Sequence, residues 1–329
     1  MTLERASGLE DSTSGRHFQQ RLLGWFDLHK RDLPWRHNRD PYRVWVSEIM
    51  LQQTRVAAVV DHYERFLRRF PSVEKLASAR EASVLAAWSG LGYYRRARML
   101  HVAAKTIVKE HEGKFPGSAE ELRALPGIGR YTGAAVASIA FDQPVAVVDG
   151  NVERVLQRVH GKNLSGEKLW RVAGEMLSRQ RPGDFNQAMM ELGATACLPR
   201  QPRCLLCPVS DLCVTRGELR RPRKATRQTK RDIHYTLACR NGSIFMVQRS
   251  KAAMLMPGMW ELPETAGTDE TATTVLTVRH SITVTDYVVR VLRGPAPTDA
   301  NGRWVRSSRI TALPLTGLAR KILRAAKII

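Results

Sequence analysis

The stretch from Leu125 to Asn151 constrains this chain more than any other. Leu125-Pro126-Gly127-Ile128-Gly129 sets a proline and two glycines in five residues, the composition of a tight turn whose backbone can approach another molecule closely. Arg130 and Tyr131 follow, and the Ala-rich run from Thr132 to Phe141 has the apolar spacing of a buried helix. A turn whose amides open onto a helix N-terminus is a ready phosphate clamp. Val147-Val148-Asp149-Gly150-Asn151 then places a carboxylate one helix and a short loop downstream, where the next helix, Asn151 to His160, is expected to start. Gly-rich turns between helices are common, and Asp149 has an ordinary use as an N-cap, so this stretch alone does not fix a function.

Charge narrows the choice of partner. The 329 residues carry 52 Lys and Arg against 31 Asp and Glu, a net charge of +21, which favours a polyanion such as nucleic acid. No apolar run approaches the ~20 residues of a spanning helix, so a membrane is not expected. The N-terminus is polar, of mixed charge and without an apolar h-region, which argues against export and for a bacterial cytoplasm.

The chain reads as two domains. Residues 1–16 are rich in Ser, Thr and Gly and are expected to be disordered. Residues 17–215 read as successive short helices, with Ser118 and Glu121 spaced as a capping box. Residues 216–232, including Arg220-Arg221-Pro222-Arg223-Lys224, form a basic linker. From residue 233 to 329 the grammar turns to strands: Tyr235–Ala238 and Ile244–Val247 flank Asn241-Gly242 as a hairpin, Cys239 is expected as a buried thiol, and Leu315–Ala326 as a closing helix. The class is multidomain, an all-α core followed by an α+β domain.

Two constellations carry chemistry. Cys197, Cys204, Cys207 and Cys213 have six, two and five residues between them, and four thiolates hold either zinc or an iron–sulfur cluster. The uneven loops suit the larger group. Glu48 lies in Val44-Trp45-Val46-Ser47-Glu48-Ile49-Met50-Leu51, among apolar neighbours that raise a carboxyl pKa. Asp149 at a helix N-terminus is favoured as the carboxylate. One protonated and one ionised carboxyl group is the pairing that glycosidic cleavage needs.

The turn, its following helix and Asp149 resemble the helix-hairpin-helix base-excision DNA glycosylases, and the cysteine spacing is similar to the 4Fe–4S site of their endonuclease III and MutY branch. Ser47-Glu48-Ile49-Met50-Leu51-Gln52-Gln53-Thr54, Leu91-Gly92-Tyr93-Tyr94-Arg95-Arg96-Ala97-Arg98, Phe185 to Gly193, and Leu33-Pro34-Trp35-Arg36 narrow the resemblance to the MutY adenine glycosylases. The resemblance implies one 4Fe–4S cluster on Cys197, Cys204, Cys207 and Cys213. It implies that Glu48 protonates the extruded adenine and that Asp149 stabilises or is attacked by the oxocarbenium ion, with Tyr131 and Asn151 orienting Asp149 and water. Leu33, Trp35, Arg36 and Gln187 would line the adenine pocket. Gln52, Gln53, Thr54 and Tyr93 would engage the base stack, and Gly127, Gly129 and Arg130 the backbone. Bifunctional relatives carry lysine at the Tyr131 position, so a monofunctional enzyme is implied. The substrate would be duplex DNA with adenine opposite 8-oxoguanine or guanine, bound by a monomer.

Met256-Pro257-Gly258-Met259-Trp260-Glu261-Leu262-Pro263 resembles the C-terminal, Nudix-like domain of that family. The hydrolase box is absent between Pro263 and Val278, so pyrophosphatase activity is not expected. The family's lesion-reading Phe-Ser-His loop corresponds to Ile282-Thr283-Val284, which keeps apolar contact at Ile282 and a hydroxyl at Thr283 but no imidazole. Two other functions fit the motifs less fully: a thymine or uracil mismatch glycosylase, which is not expected to keep Glu48, and a non-catalytic iron–sulfur DNA-binding protein, insensitive to loss of Glu48 and Asp149.

Overall fold

The computed structural model describes residues 12–219, 229–265, 273–282 and 285–329. In chain order its helices are α1 (Ser12–His29), α2 (Pro41–Leu51), α3 (Val56–Arg69), α4 (Val73–Ala77), α5 (Glu81–Trp88), α6 (Arg95–Glu110), α7 (Ala119–Ala124), α8 (Arg130–Phe141), α9 (Gly150–His160), α10 (Gly166–Met176), α11 (Pro182–Thr195), α12 (Ser307–Ile310) and α13 (Gly317–Ala325). The strands are β1 (Thr229–Leu237), β2 (Cys239–Arg240), β3 (Ser243–Gln248), β4 (Trp260–Glu261), β5 (Glu264–Thr265), β6 (Thr274–Ile282), β7 (Thr285–Arg293) and β8 (Gly302–Arg306). None of the described helices is long and apolar enough to cross a membrane.

Local chemistry sets many of the boundaries. Pro41 in the first turn and the Asp40 side chain, which accepts from the Arg43 amide, start α2. Ser118 and Glu121 close a capping box on α7. Gly127, at φ +76°, makes a left-handed step before α8 that other side chains rarely adopt. α1 begins at Ser12, inside the stretch 1–16 expected to be disordered; residues 1–11 lie outside the described residues.

The chain divides into two compact units that do not follow chain order. One holds residues up to Gln53 and from Thr106 to Pro222; the other holds Thr54–Lys105 and Arg223–Ile329. In the first, α2 packs on α8, and α11 packs on α1, α8 and α9. Its core joins Phe18, Leu22 and Phe26 of α1 to Val155 and Leu156 of α9 and to Phe185, Met189 and Leu192 of α11. These are the apolar faces that the helical spacing exposes, buried against one another.

The second unit sets α3–α5 and most of α6 with a C-terminal α/β region. Phe66 of α3 meets Trp88 of α5 edge to face, with ring centroids 6.0 Å apart. One sheet has the order β5-β1-β7-β6, with β1 and β7 parallel from Thr229 beside Thr285 to Leu237 beside Arg293. The other has the order β2-β3-β4, with β8 also paired to β3. α13 packs against β6 and β4, and Ile322 and Leu323 enter a core with Tyr235, Met246, Trp260 and Val289.

Three expectations change here. Asn241-Gly242 does turn a hairpin, with φ +48° and +69°, but its first arm is only β2. Tyr235 to Leu237 belongs instead to β1, and all three residues are buried, as a strand covered on both faces requires. Cys239 is exposed, because the short arm leaves both of its residues at the surface. β1 starts within the stretch 216–232 expected as linker; residues 220–228 lie outside the described residues. So does Thr283, and of Ile282 only the backbone is described, paired with Thr285 at the end of β6.

Candidate active site

Glu48 sits in the middle of α2, where every residue from Val44 to Met50 is buried. Its side chain is 5% exposed, and the phenol of Tyr131 on α8 donates a hydrogen bond to Oε2 at 2.7 Å. Burial raises the Glu48 carboxyl from 4.5 to about 7; the hydrogen bond from Tyr131 works against it, the negative Asp149 adds to it, and Arg36 opposes it. The Tyr131 phenol is itself held well above its ordinary value, first by burial and then by Glu48 and Asp149, so it stays a donor. It also lies 3.4 Å from Met190 Sδ.

Asp149 is the N-cap of α9. Oδ1 accepts from the amides of Asn151 at 2.9 Å and Val152 at 2.7 Å, and Oδ2 accepts from the Asn151 side chain at 2.9 Å. Three donors and a helix N-terminus suit a charged carboxylate. Its neighbours fix it in turn. The buried Asn186 side chain accepts from the Val147 amide and donates to Val145 O and Ser138 Oγ, pinning the connecting segment that leads into Asp149. Arg154 donates to Asn151 Oδ1 at 2.8 Å, Gly193 O at 2.7 Å and Cys197 O at 2.8 Å, joining α9 to the end of α11. A Cβ on Gly193 would stand 2.5 Å from Asn151 Cβ, so this approach needs glycine.

Leu33 and Trp35 are buried and Arg36 and Gln187 partly buried. Arg36 is not free to face a ligand with its whole guanidinium. It donates to Glu191 Oε2 at 2.9 Å, while Arg31 makes a two-pronged contact with the same carboxylate at 2.7 and 2.8 Å. Burial by itself would raise the Glu191 carboxyl, but Arg31 and Arg36 outweigh it and hold it at about 2. Asn186 and Glu191 lie inside the Phe185–Gly193 motif, but their supporting roles, and that of Arg154 toward Gly193 and Cys197, rest on partners distant in sequence that leave no periodic signal.

Among the residues expected at the DNA, Gln53 and Tyr93 are both exposed and both at positive φ, +55° and +47°. Non-glycine residues held there mark a constrained turn. Gln52 donates to Thr132 Oγ1 at 3.1 Å, and in the other unit Thr54 accepts from Arg96 at 3.0 Å. No side chain caps the N-terminus of α8 at Gly129, and a Cβ built there would meet nothing within 4 Å, so the space beside Gly129 is open. Arg130, the first residue of α8, stacks over Trp170 at 4.1 Å and pairs with the exposed Glu167 at 2.5 Å.

This geometry falls within a known family. The model of the HhH-GPD superfamily base excision DNA repair proteins matches residues 46–172, which include Glu48, Tyr131 and Asp149. A solved structure titled as a thermostable thymine-DNA glycosylase is 31% identical, with a TM-score of 0.59 over 63% of this chain and 99% of that one. The chain belongs to the HhH-GPD superfamily. The adenine DNA glycosylase of Mus musculus is 42% identical over 310 residues, 75% of this chain and 60% of that protein. That of Rattus norvegicus is 50% identical over 211 residues, 60% of this chain and 41% of that protein. The chain thus spans less than two thirds of the length of these relatives.

In this HhH-GPD protein the four cysteines line one small pocket, partly open to solvent, together with Val155 and Arg158. Among the described residues no three His, Cys, Asp or Glu side chains converge as a single ion requires. Four thiols lining one pocket are a donor set that zinc and iron–sulfur clusters both use. Arg158 donates to Cys197 Sγ at 3.3 Å, and its Nε is buried without a hydrogen-bond partner, so a positive group lines the pocket beside the cysteines. Burial pushes the Cys207 thiol up to about 11, so filling the site must displace its proton.

Proposed function

We propose that this chain is a monofunctional adenine-DNA glycosylase of base excision repair, acting as a monomer on duplex DNA that carries adenine opposite 8-oxoguanine or guanine. The observation that carries the reading is the buried Glu48, raised to about 7 and bonded to Tyr131, with the partly buried Asp149 carboxylate at the start of α9 close enough to add to that rise. The two similar adenine DNA glycosylases support the choice of base.

In this reading the adenine nucleotide leaves the stack, at a cost of a few kcal/mol that protein contacts offset. Gln53 enters the space beside Gln52; Thr54 and Tyr93 of the other unit are read as DNA contacts of their own, and the Gly127–Arg130 turn holds a backbone phosphate. Leu33, Trp35, Arg36 and Gln187 enclose the base. Glu48 passes its proton to a ring nitrogen, and the bond from that base to the sugar breaks with its electrons leaving on adenine. Asp149 meets the positive charge that develops on the sugar, as carboxylates do in glycoside cleavage. Water, oriented by Tyr131 and Asn151, adds at the sugar carbon and loses a proton, giving free adenine and an abasic site. Tyr131 has no amine to form a Schiff base, so the strand stays intact.

Cys197, Cys204, Cys207 and Cys213 would hold one 4Fe–4S cluster, which ties the chain after α11 into the fold when bound. The C-terminal α/β region is read as Nudix-like, with Ile282 and Thr283 meeting the base opposite adenine, and a bacterial cytoplasm as its setting. The test is chromatography of the base released from duplexes carrying A:8-oxoguanine, A:G, T:G and U:G pairs. Adenine alone is expected. Release of thymine or uracil would transfer the reading to a mismatch glycosylase, and release of no base would leave only DNA binding.

A further inference from the structure

The second unit holds an exposed aromatic on a strained turn whose two stems meet at one atom. Gly90, Gly92 and Tyr93 have φ of +114°, +70° and +47°, and the Tyr93 ring is 55% exposed. Glycine takes the first two readily, so the cost falls on Tyr93, a conformation its side chain rarely keeps unless its surroundings enforce it. From inside, the Trp88 indole donates to Gly92 O at 3.2 Å, and the Arg96 guanidinium donates to Leu91 O at 3.3 Å and lies 5.3 Å from the Tyr93 ring.

A further restraint comes from the far end of the sequence. Ser89 Oγ donates to Leu315 O at 3.0 Å, and the Tyr94 hydroxyl donates to the same oxygen at 2.9 Å. Ser89 precedes the turn and Tyr94 follows it, so one carbonyl fixes both stems. All three residues are buried. Arg320 of α13 donates to Ser89 Oγ at 2.9 Å, which orients the hydroxyl toward Leu315. Leu315 is in turn held on β4: the Trp260 amide donates to Pro314 O at 2.8 Å, and the Thr316 amide donates to Trp260 O at 2.9 Å. The two neutral bonds on a buried carbonyl can be matched only if the turn keeps its shape.

We infer that Ser89 and Tyr94 are positioning residues through which the C-terminal α/β region, at the Leu315 carbonyl, holds the Tyr93 turn in the shape that engages duplex DNA. The inference rests on the glycosylase reading, and it assigns the C-terminal region a second task beside contact with the opposite base. Tyr93 acts on binding, and the bond-breaking groups lie in the other unit. Loss of the latch therefore weakens engagement and leaves chemistry intact.

The experiment measures single-turnover adenine release against enzyme concentration for the whole protein and for Tyr94→Phe, Ser89→Ala/Tyr94→Phe, Tyr93→Ala and the triple variant. Tyr94→Phe keeps the packed ring and reports even if the double variant folds poorly. Ser89→Thr keeps a hydroxyl and is expected to behave as the parent. For the double variant the enzyme concentration at half-maximal rate is expected to rise at least about tenfold, since it loses the two neutral bonds to Leu315 and the Arg320 bond to Ser89 Oγ, with the maximal rate unchanged. Tyr93→Ala is expected to raise it similarly but to add almost nothing in the latch-free background, because both act through one ring. Amide hydrogen exchange at Leu91–Tyr94 should quicken. An unchanged half-maximal concentration, a fall in maximal rate alone, or full additivity with Tyr93→Ala overturns the latch and leaves the glycosylase reading standing. Failure of the parent protein to release adenine from any duplex overturns both, and that outcome is visible before any variant is made.

Discussion

Glu48→Gln separates what this carboxyl does for chemistry from what it costs the fold. In the folded protein the group titrates at about 7, against 4.5 ordinarily. Between those values the folded state keeps a proton that the unfolded chain releases. The stabilising contribution of neutral Glu48 is therefore whole below about pH 4.5 and is lost as pH rises through about 7. At ~1.4 kcal/mol per pH unit, the ionised side chain costs the fold roughly 3 kcal/mol above that range. Glutamine has nearly the same shape and never ionises, and it can still accept the Tyr131 hydroxyl. Urea unfolding of both proteins at pH 5 and pH 8.5 should thus show a small difference at the lower pH. At the higher pH the variant should be more stable, by up to about 3 kcal/mol. The same protein should lose about 10²–10⁴-fold in adenine release, the ordinary range for a general acid. A stability difference that is the same at both pH values would refute the burial argument, whatever happens to activity.

Asp149→Asn keeps an N-cap that serves α9 well, so the fold should hold while adenine release falls about 10²–10³-fold, the scale of one lost electrostatic stabiliser; circular dichroism and single-turnover rates check both halves. Asn186→Ala leaves the Val147 amide and Val145 carbonyl without their partner in the interior, and should cost about 2–3 kcal/mol in urea unfolding. Cys204→Ser should abolish the visible iron–sulfur absorbance and iron content of purified protein and lower its melting temperature. Gly193→Ala should slow base release with little loss of secondary structure, since its methyl group displaces Asn151 and with it the donor to Asp149.

Local signals read well in this chain. The glycine turn, the Ala-rich α8, the capping box at Ser118 and the N-cap at Asp149 are each written in a few consecutive residues, and each lies where the residues point. The burial of Glu48 follows from its apolar neighbours on every side of one helix. What sequence does not display is partnership across distance. Glu191 meets Arg31 across 160 positions and Ser89 meets Leu315 across 226, and nothing in either segment's periodicity marks the other. The same limit explains the interleaved units, in which Thr54–Lys105 groups with the C-terminal region. It also explains Tyr235–Leu237, where a strong Asn-Gly turn signal drew a parallel inner strand into a hairpin.

The central claim is that a protonated Glu48 working with a charged Asp149 releases adenine. Its most direct test is the pH dependence of the single-turnover rate on a duplex with adenine opposite 8-oxoguanine, measured for the parent protein and Glu48→Gln. The account predicts a rate that declines above about pH 7 in the parent, about tenfold per unit, and a residual, pH-independent rate in the variant. A variant that keeps the parent's rate and profile, or a parent that releases no adenine at any pH, would contradict it.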